Sequence, residues 1–205
     1  MAGDDAVERA VDAIRRGAPV LLPTDTVYGL CASAADDAAA ARAYGLKRRE
    51  GAQPTALLAA DIDRLLELLP ELHGPSARLV RALLPGPYTL VLPNPARRYP
   101  WLTGTRPDAI GVRVAVLPEP ARRVLDRVGC VLATSANAPG GASPATLDDV
   151  PDWIRAGCES ELDAGRLPGV ASTVLDLTGP EPVVLREGAA QSADAIERIG
   201  SKEWL

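Results

Sequence analysis

Small polar side chains stand beside several short apolar runs that are typical of β-strands. The groups are Thr24, Asp25 and Thr26 in PTDT, Thr134, Ser135 and Asn137 in TSAN, and Ser172 and Thr173 in STVLD. Hydroxyl and amide groups of this kind form hydrogen bonds with carboxylate, hydroxyl or phosphate oxygens. Because open α/β sheets bind ligands where their strands end, we expect these side chains to contribute to one binding site.

Basic residues accompany these polar groups. Lys47 and Arg49 follow an alanine-rich helical segment, Arg113 interrupts the apolar run AIGVRVAV, and Arg186 ends the run PVVLR. A buried arginine needs an anion or carbonyl groups as partners, so Arg113 is the hardest of the four to explain as a solvated charge. Cations and hydroxyl groups together predict a pocket for a small polyanion.

The residue inventory excludes several other kinds of site. The sequence contains one histidine, His73, and three widely spaced cysteines, Cys31, Cys130 and Cys158. It contains no glycine-rich P-loop and no G-x-G-x-x-G motif. The sequence therefore predicts neither an activated nucleophile nor a histidine–cysteine metal site, and a bound metal would be a hard cation held by oxygen atoms.

Each group also has a structural explanation that the sequence alone leaves open. PTDT is a common turn sequence, and TSANAPGG is compatible with a loop that leads to a helix cap. A basic cluster at residues 47–49 would be favoured by the dipole of the preceding helix without any ligand. Arg113 and Arg186 are both compatible with ion pairs.

Helical and strand-like segments alternate along the chain without a fixed repeat. Helices are predicted near residues 7–14, 37–46, 62–69, 75–84, 119–128, 145–156 and 193–199. Strands are predicted near residues 19–23, 54–60, 88–93, 109–116, 130–137, 172–177 and 182–186. This alternation predicts the α/β class, as a single domain with a twisted mixed sheet flanked by helices.

Length, composition and charge limit the protein class. The chain has 205 residues, of which 47% are hydrophobic, and a net charge of −5. We expect one domain over residues 1–205, with a core at about 7–190 and a C-terminal helix and tail at 191–205. The acidic N-terminus is unlike a signal peptide and the apolar runs are short, which predicts a cytoplasmic protein without a membrane segment.

An ordered series of motifs resembles the Sua5/YciO/YrdC family. The motifs are PTDTVYGL, the Lys-x-Arg of KRR, LLPGPYTLVL, IGVRV, TSAN, STVLD and LREG. The match runs from about Ala18 to Ala189, and the series is specific as a set. The resemblance is to the short YrdC-type form, and it implies a YrdC-like fold with a concave basic ligand cleft.

The resemblance implies L-threonylcarbamoyladenylate synthase activity. Such enzymes combine L-threonine, bicarbonate and ATP, with Mg²⁺, into threonylcarbamoyl-AMP and pyrophosphate. A downstream transferase then places the threonylcarbamoyl group on N6 of adenosine 37 of certain tRNAs. Family members are also described as binding double-stranded RNA.

The same resemblance implies roles for individual residues. L-Threonine would be contacted by Thr26, Arg113 and Ser172, with Arg113 at its carboxylate. Lys47 and Arg49 would hold the ATP phosphates as the catalytic cations. The remaining ATP-binding residues implied by the motifs are Gln53, Ser135, Asn137, Ser143 and Arg186.

Some positions depart from the family pattern and keep other functions open. Gln53 stands where a lysine is usual, Pro139 replaces a serine after SAN, and Ala109 replaces a common threonine. One alternative is therefore a divergent YciO-type paralogue that binds nucleotide or double-stranded RNA. Another is carbamoyl-adenylate chemistry in the same pocket. The acidic net charge argues against strong RNA binding.

Overall fold

The computed structural model describes residues 3–48 and 53–200, and its strands form one mixed sheet. The strands are β1 (Val20–Pro23), β2 (Tyr28–Ser33), β3 (Ala56–Ala59), β4 (Tyr88–Pro93), β5 (Ala109–Arg113), β6 (Cys130–Ser135), β7 (Ser160–Glu161), β8 (Thr173–Asp176) and β9 (Val183–Arg186). Their order across the sheet is β7-β1-β2-β6-β3-β5-β4-β8-β9. The pairs β1–β7, β3–β5 and β4–β8 are parallel, and the other neighbours are antiparallel.

Helices flank this sheet, which confirms the predicted fold class. They are α1 (Asp4–Arg15), α2 (Asp37–Leu46), α3 (Ile62–Leu68), α4 (Pro75–Leu83), α5 (Glu119–Val128), α6 (Asp152–Ala156) and α7 (Ser192–Gly200). Aspartates cap two of them, because the side chains of Asp36 and Asp61 accept hydrogen bonds from the backbone of the first turns of α2 and α3. Within the described ranges, every helix is too short or too polar to cross a bilayer.

The two faces of the sheet are covered unequally. Strand side chains alternate between faces, and those on the first face pack with α2, α3, α4 and α7 in one large apolar cluster. On the second face α1 and α5 pack against Val20, Cys31, Leu58 and Val131. Beyond these two helices the second face carries mostly small or polar side chains, and it forms the floor of an open cleft.

The structure differs from the prediction in one helix, and it contains one strand that was not predicted. Residues 145–156 form a short 3-10 turn at Leu147–Asp149 followed by α6, because Pro151 lacks the N–H that a continuous helix needs. The residues after PTDT form the strand β2, which was not predicted. PTDT is thus part of the loop of a β-hairpin, in which Pro23 pairs with Tyr28.

Gly188 allows a close backbone crossing beside the cleft. A Cβ atom on Gly188 would lie 2.2 Å from the Ala171 carbonyl oxygen and 2.6 Å from that of Ser172. The neighbouring Ala189 N–H donates to the Ala171 carbonyl oxygen at 2.8 Å. The backbone that carries Ser172 is therefore fixed by a contact that only glycine permits.

We expect Gly188→Ala to lower the free energy of unfolding by about 1–3 kcal/mol, as is typical of overpacking. The matched control is Gly45→Ala in α2, where a Cβ would meet nothing within 4 Å. Since alanine is favoured over glycine in a helix, the control should gain up to about 1 kcal/mol. Urea denaturation measures both; equal effects on the two variants would contradict the close crossing.

Candidate functional site

The hairpin loop between β1 and β2 is organised by its two threonines. Thr24 Oγ1 accepts hydrogen bonds from the backbone N–H groups of Thr26 and Val27, each at 3.2 Å, and donates to the Val27 carbonyl oxygen at 2.7 Å. Thr24 Oγ1 and Thr26 Oγ1 lie 3.0 Å apart. The turn chemistry that the sequence left open is therefore present, and it fixes where Asp25 and Thr26 point.

Arg113, at the end of β5, reaches this loop. Its Nη2 donates to Thr26 Oγ1 at 2.7 Å and also to Asp25 Oδ1. Both charged side chains are largely buried, with 9% of the Arg113 side chain and 12% of the Asp25 side chain exposed. The ion pair that the sequence left open for Arg113 is thus present, and Asp25 is its anion.

The charge of Arg113 is maintained despite its burial. Burial lowers the pKa of the guanidinium, while the charge and the hydrogen bond of Asp25 oppose this shift. Because an arginine guanidinium is not deprotonated in proteins, the group keeps its charge at any physiological pH. Arg186 is close enough for the two cations to affect each other, since burial and the charge of Arg113 both lower its pKa. Two such cations favour an anionic ligand between them.

The uncovered part of the second sheet face is a cleft of about 610 Å³. Its floor consists of small residues at alternate strand positions: Gly29, Ala56, Ala109, Gly111 and Ala133. Its walls carry five cations: Lys47, Arg48, Arg106, Arg113 and Arg186. No carboxylate lines it within the described residues, so the cleft is basic although the chain is acidic overall. The volume is in the usual range for a small-molecule site.

Lys47 holds the TSAN loop from the C-terminal end of α2. It is only 6% exposed, which rules out a solvated charge at this position. Its Nζ donates to the carbonyl oxygens of Ser135 and Asn137 at 2.8 and 2.5 Å and to Asn137 Oδ1 at 2.8 Å. Asn137 Nδ2 in turn donates to the Gly141 carbonyl oxygen at 2.6 Å. Lys47 therefore shapes the loop that forms one wall of the cleft.

Ser172 is fixed from two sides. Its Oγ lies 2.8 Å from Thr89 Oγ1 and accepts from Arg186 Nη2 at 3.2 Å. Arg186 Nε and Nη2 also donate to the Ser172 carbonyl oxygen, at 3.1 and 2.8 Å. The hydroxyl group of Ser172 and the guanidinium of Arg186 are thereby placed together on the wall of the cleft.

Three buried polar atoms have no hydrogen-bond partner among the described residues: Asp25 Oδ2, Arg113 Nε and Ser135 Oγ. Buried polar atoms are nearly always paired in folded proteins, so a cluster of exceptions needs an explanation. Arg113 and Ser135 both line the cleft. Unused hydrogen-bonding capacity therefore remains in two residues of the cleft wall, on atoms that lie just beneath its surface.

The structure brings most of the predicted site residues together. Those that line the cleft are Lys47, Gln53, Arg113, Ser135, Asn137, Ser143, Ser172 and Arg186. Thr26 is fully buried behind Arg113, where it accepts a hydrogen bond from the guanidinium. Arg49 lies outside the described residues. The contacts of these residues with L-threonine and ATP stay predictions.

Sequence reasoning missed Asp25 as the partner of Arg113, and it missed Arg48, Arg106 and Thr89 as parts of the cleft wall. A signal for Asp25 was available, since a buried arginine requires an anion and PTDT offers one carboxylate. A signal for the floor was also available, because AIGVR alternates small and large apolar residues. The sequence placed the site at strand ends, whereas it extends across the sheet face.

Comparison with known proteins matches this architecture to a family. A family model described as "Telomere recombination" (Sua5_yciO_yrdC) matches residues 12–188. The chain belongs to the Sua5/YciO/YrdC family. The resemblance inferred from the motifs is thereby confirmed.

Members of the Sua5/YciO/YrdC family with similar sequences are named synthases. A threonylcarbamoyl-AMP synthase of Pyrococcus abyssi is 34% identical over 188 residues, which are 91% of this chain but 55% of that protein. The chain thus spans about half the length of that relative. A threonylcarbamoyl-AMP synthase of Chromohalobacter salexigens is 35% identical over 179 residues, 86% of this chain and 95% of that protein.

Solved structures of the family have the same fold. P. abyssi Sua5 complexed with L-threonine is 33% identical with a TM-score of 0.85, over 95% of this chain and 57% of that chain. Escherichia coli YciO is 26% identical with a TM-score of 0.78, over 93% of both chains. The twisted mixed sheet flanked by helices is therefore the family fold.

The Asp25–Arg113 pair should behave as one energetic unit. Removing one partner leaves a buried charge uncompensated, so we expect Asp25→Asn and Arg113→Met each to lower the free energy of unfolding by about 2–4 kcal/mol. The double variant should lose less than the sum, with a coupling of at least about 1 kcal/mol in urea denaturation. Additive losses would mean that the two side chains do not interact in solution.

Cys31, which lies in β2 and pairs with Val20 of β1, should be chemically inert. It is fully buried, and burial raises its pKa to about 12. The thiol is therefore protonated at neutral pH and becomes a thiolate only in strongly alkaline solution. At about pH 8 we expect a thiol reagent to leave Cys31 unmodified in the native protein and to modify it in denaturing urea, as read by peptide mass spectrometry. Rapid native modification of Cys31 would contradict the burial.

Proposed function

We propose that this protein is a threonylcarbamoyl-AMP synthase, which makes threonylcarbamoyl-AMP and pyrophosphate from L-threonine, bicarbonate and ATP. The observation that carries the proposal is Arg113, held by Asp25 and Thr26 at the wall of a basic cleft. A guanidinium fixed in this way is suited to the planar carboxylate of an amino acid. The similarity to an L-threonine-bound Sua5 supports the choice of amino acid.

Two steps account for the atoms of the proposed reaction. The amine of L-threonine joins bicarbonate with loss of water and gives an N-carboxylate. An oxygen of that carboxylate then attacks the α-phosphorus of ATP, forming one P–O bond while the bond to pyrophosphate breaks. Since no protein atom becomes covalently attached, the contribution of the chain is positioning and electrostatic stabilisation. The absence of an activated nucleophile among the described cleft residues agrees with this mechanism.

The wall residues divide into two groups in this proposal. Arg113 and Ser172 bind L-threonine, with Thr26 supporting Arg113 from behind. The nucleotide is held by Lys47, Gln53, Ser135, Asn137, Ser143 and Arg186, together with Arg49. Because the carbamate is a short-lived anion, a cleft that holds it beside the nucleotide favours its capture over its decay.

Mg²⁺ enters this proposal with the ATP. Among the described residues no cluster of carboxylate, histidine and cysteine side chains forms a metal site. Hydroxyl and amide oxygens in the cleft suit an ion that is held mainly by phosphate oxygens and water. Ser135 and Ser143 are the side chains that would meet such an ion, which would neutralise charge on the triphosphate.

The proposal also specifies partners and location. The product, a mixed anhydride of a carbamate and AMP, needs a transferase that passes the threonylcarbamoyl group to N6 of adenosine 37 of tRNA. We place this activity in the cytoplasm. Binding of double-stranded RNA is expected to be weak, because only the cleft is basic and the chain carries a net charge of −5.

A YciO-type function is the second candidate, because E. coli YciO matches this chain over nearly its full length. In that case the cleft binds a nucleotide or double-stranded RNA without making threonylcarbamoyl-AMP. A third possibility keeps the adenylate chemistry but uses a carbamoyl donor in place of L-threonine and bicarbonate. Substrate dependence distinguishes all three.

We expect pyrophosphate release from ATP to require both L-threonine and bicarbonate. The assay omits each substrate in turn and replaces L-threonine with carbamoyl phosphate in a separate reaction. Release without L-threonine, or release only with carbamoyl phosphate, would contradict the proposed function. RNA binding at physiological salt without any turnover would favour the YciO-type alternative.

A variant of Ser172 tests the proposed L-threonine contact within this assay. Ser172→Ala should lower kcat/KM for L-threonine about tenfold, the effect of roughly one lost hydrogen bond. The control is Ser160→Ala in the edge strand β7, away from the cleft, which should leave kcat/KM unchanged. A Ser172→Ala variant with wild-type kinetics would remove Ser172 from the L-threonine site.

A further inference from the structure

Arg48 stands at the mouth of the cleft in a backbone conformation that arginine rarely adopts. Its φ is +48°, in the left-handed region, directly after the C-cap residue Lys47 of α2. Helices commonly end in this conformation, and glycine is the residue that normally occupies the position. The side chain of Arg48 is therefore present at a place where glycine would be the more stable choice.

Trp153 on α6 orients the Arg48 side chain. The guanidinium carbon of Arg48 lies 4.8 Å from the centre of the Trp153 ring. A guanidinium over an aromatic ring is held by its charge, and its N–H groups that point away from the ring can still donate to an anion. Arg48 also lines the cleft, whereas Trp153 supports it from outside.

Arg48 differs in its contacts from the other cations of the cleft. Arg113 is paired with Asp25, Arg106 with Asp176, and Arg186 with the Ser172 carbonyl and hydroxyl oxygens. Lys47 donates to three oxygen atoms of the TSAN loop. Over residues 3–48 and 53–200, no protein oxygen accepts a hydrogen bond from the Arg48 guanidinium. Its donors are thus available to a ligand without breaking an internal contact.

We propose that Arg48, held against Trp153, binds the β- and γ-phosphates of ATP and the pyrophosphate formed from them. This inference rests on the proposed function, because it assigns a residue to the leaving group of that reaction. Pyrophosphate must leave the cleft after the reaction. An arginine at the mouth of the cleft is suited to bind it, because a ligand held there can dissociate directly into solvent. Arg48 directly follows Lys47, so it lies on the same wall of the cleft as the residues assigned to the nucleotide.

Arg48→Gly tests the proposal without a structural penalty, because glycine relieves the left-handed backbone. The control is Arg97→Gly, since Arg97 also has a positive φ, of 52°, and does not line the cleft. Both variants should be at least as stable as the wild type in urea denaturation. Calorimetric titration with inorganic pyrophosphate in the presence of Mg²⁺ should give a Kd about tenfold higher for Arg48→Gly only, as expected for lost charge-assisted hydrogen bonds.

Three further measurements distinguish the binding of phosphate by Arg48 from the support that Trp153 gives to its side chain. Trp153→Leu keeps the charge of Arg48 but removes the ring, so it should raise the Kd for pyrophosphate by about twofold to fivefold. The Kd for L-threonine should be the same in the wild type, Arg48→Gly and Trp153→Leu. Because charge carries the contact, the difference between wild type and Arg48→Gly should shrink at high salt.

The outcomes distinguish this inference from the function on which it rests. An unchanged Kd for pyrophosphate in Arg48→Gly overturns the inference, even if threonine- and bicarbonate-dependent release of pyrophosphate is intact. Loss of affinity for double-stranded RNA in Arg48→Gly, with pyrophosphate binding unchanged, also overturns it. If the wild type releases no pyrophosphate with any substrate combination, the proposed function fails instead.

Discussion

The buried ion pair between Asp25 and Arg113 is the contact on which the site depends. It joins the β1–β2 hairpin loop to the end of β5, although β6 and β3 lie between β2 and β5 in the sheet. Burying two charges costs desolvation free energy, which is offset only if the geometry of the pair is fixed and the remaining polar atoms form hydrogen bonds. Thr24 and Thr26 provide this support within the hairpin. The position of Arg113 in the cleft wall thus depends on a loop that is distant in the sheet.

The cleft follows from the unequal covering of the sheet. Two helices cover one part of the second face, and small residues such as Gly111 and Ala133 keep the remainder open. Among the cations around this surface, Arg106 and Arg113 pair with carboxylates, whereas Lys47 and Arg186 donate to uncharged oxygen atoms. Arginines elsewhere, such as Arg16, Arg122 and Arg127, form exposed ion pairs. A basic cleft in an acidic protein therefore results from where the charges are placed. Such a field attracts small anions to the cleft.

Much of this arrangement could be predicted from the sequence, for physical reasons. Helical periodicity and short apolar runs in the sequence predicted the α/β class. The polar residues beside those runs predicted which side chains line the cleft. Arg113 could be singled out because an arginine inside an apolar strand needs a partner. Its partner Asp25 and the bonds by which Lys47 holds Ser135 and Asn137 depend on tertiary geometry, which the sequence does not show. The strand β2 was missed because its start, Tyr28 and Gly29, follows a turn sequence directly.

The most direct test of the account is the affinity for L-threonine of a protein whose ion pair has been replaced by apolar residues. The double variant Asp25→Leu/Arg113→Met removes both charges together, so it should stay folded, as buried pairs often tolerate such replacement. Calorimetric titration should then detect L-threonine binding to the wild type and none to the folded double variant. Wild-type affinity for L-threonine in the double variant would contradict the assignment of Arg113 as the carboxylate-binding residue.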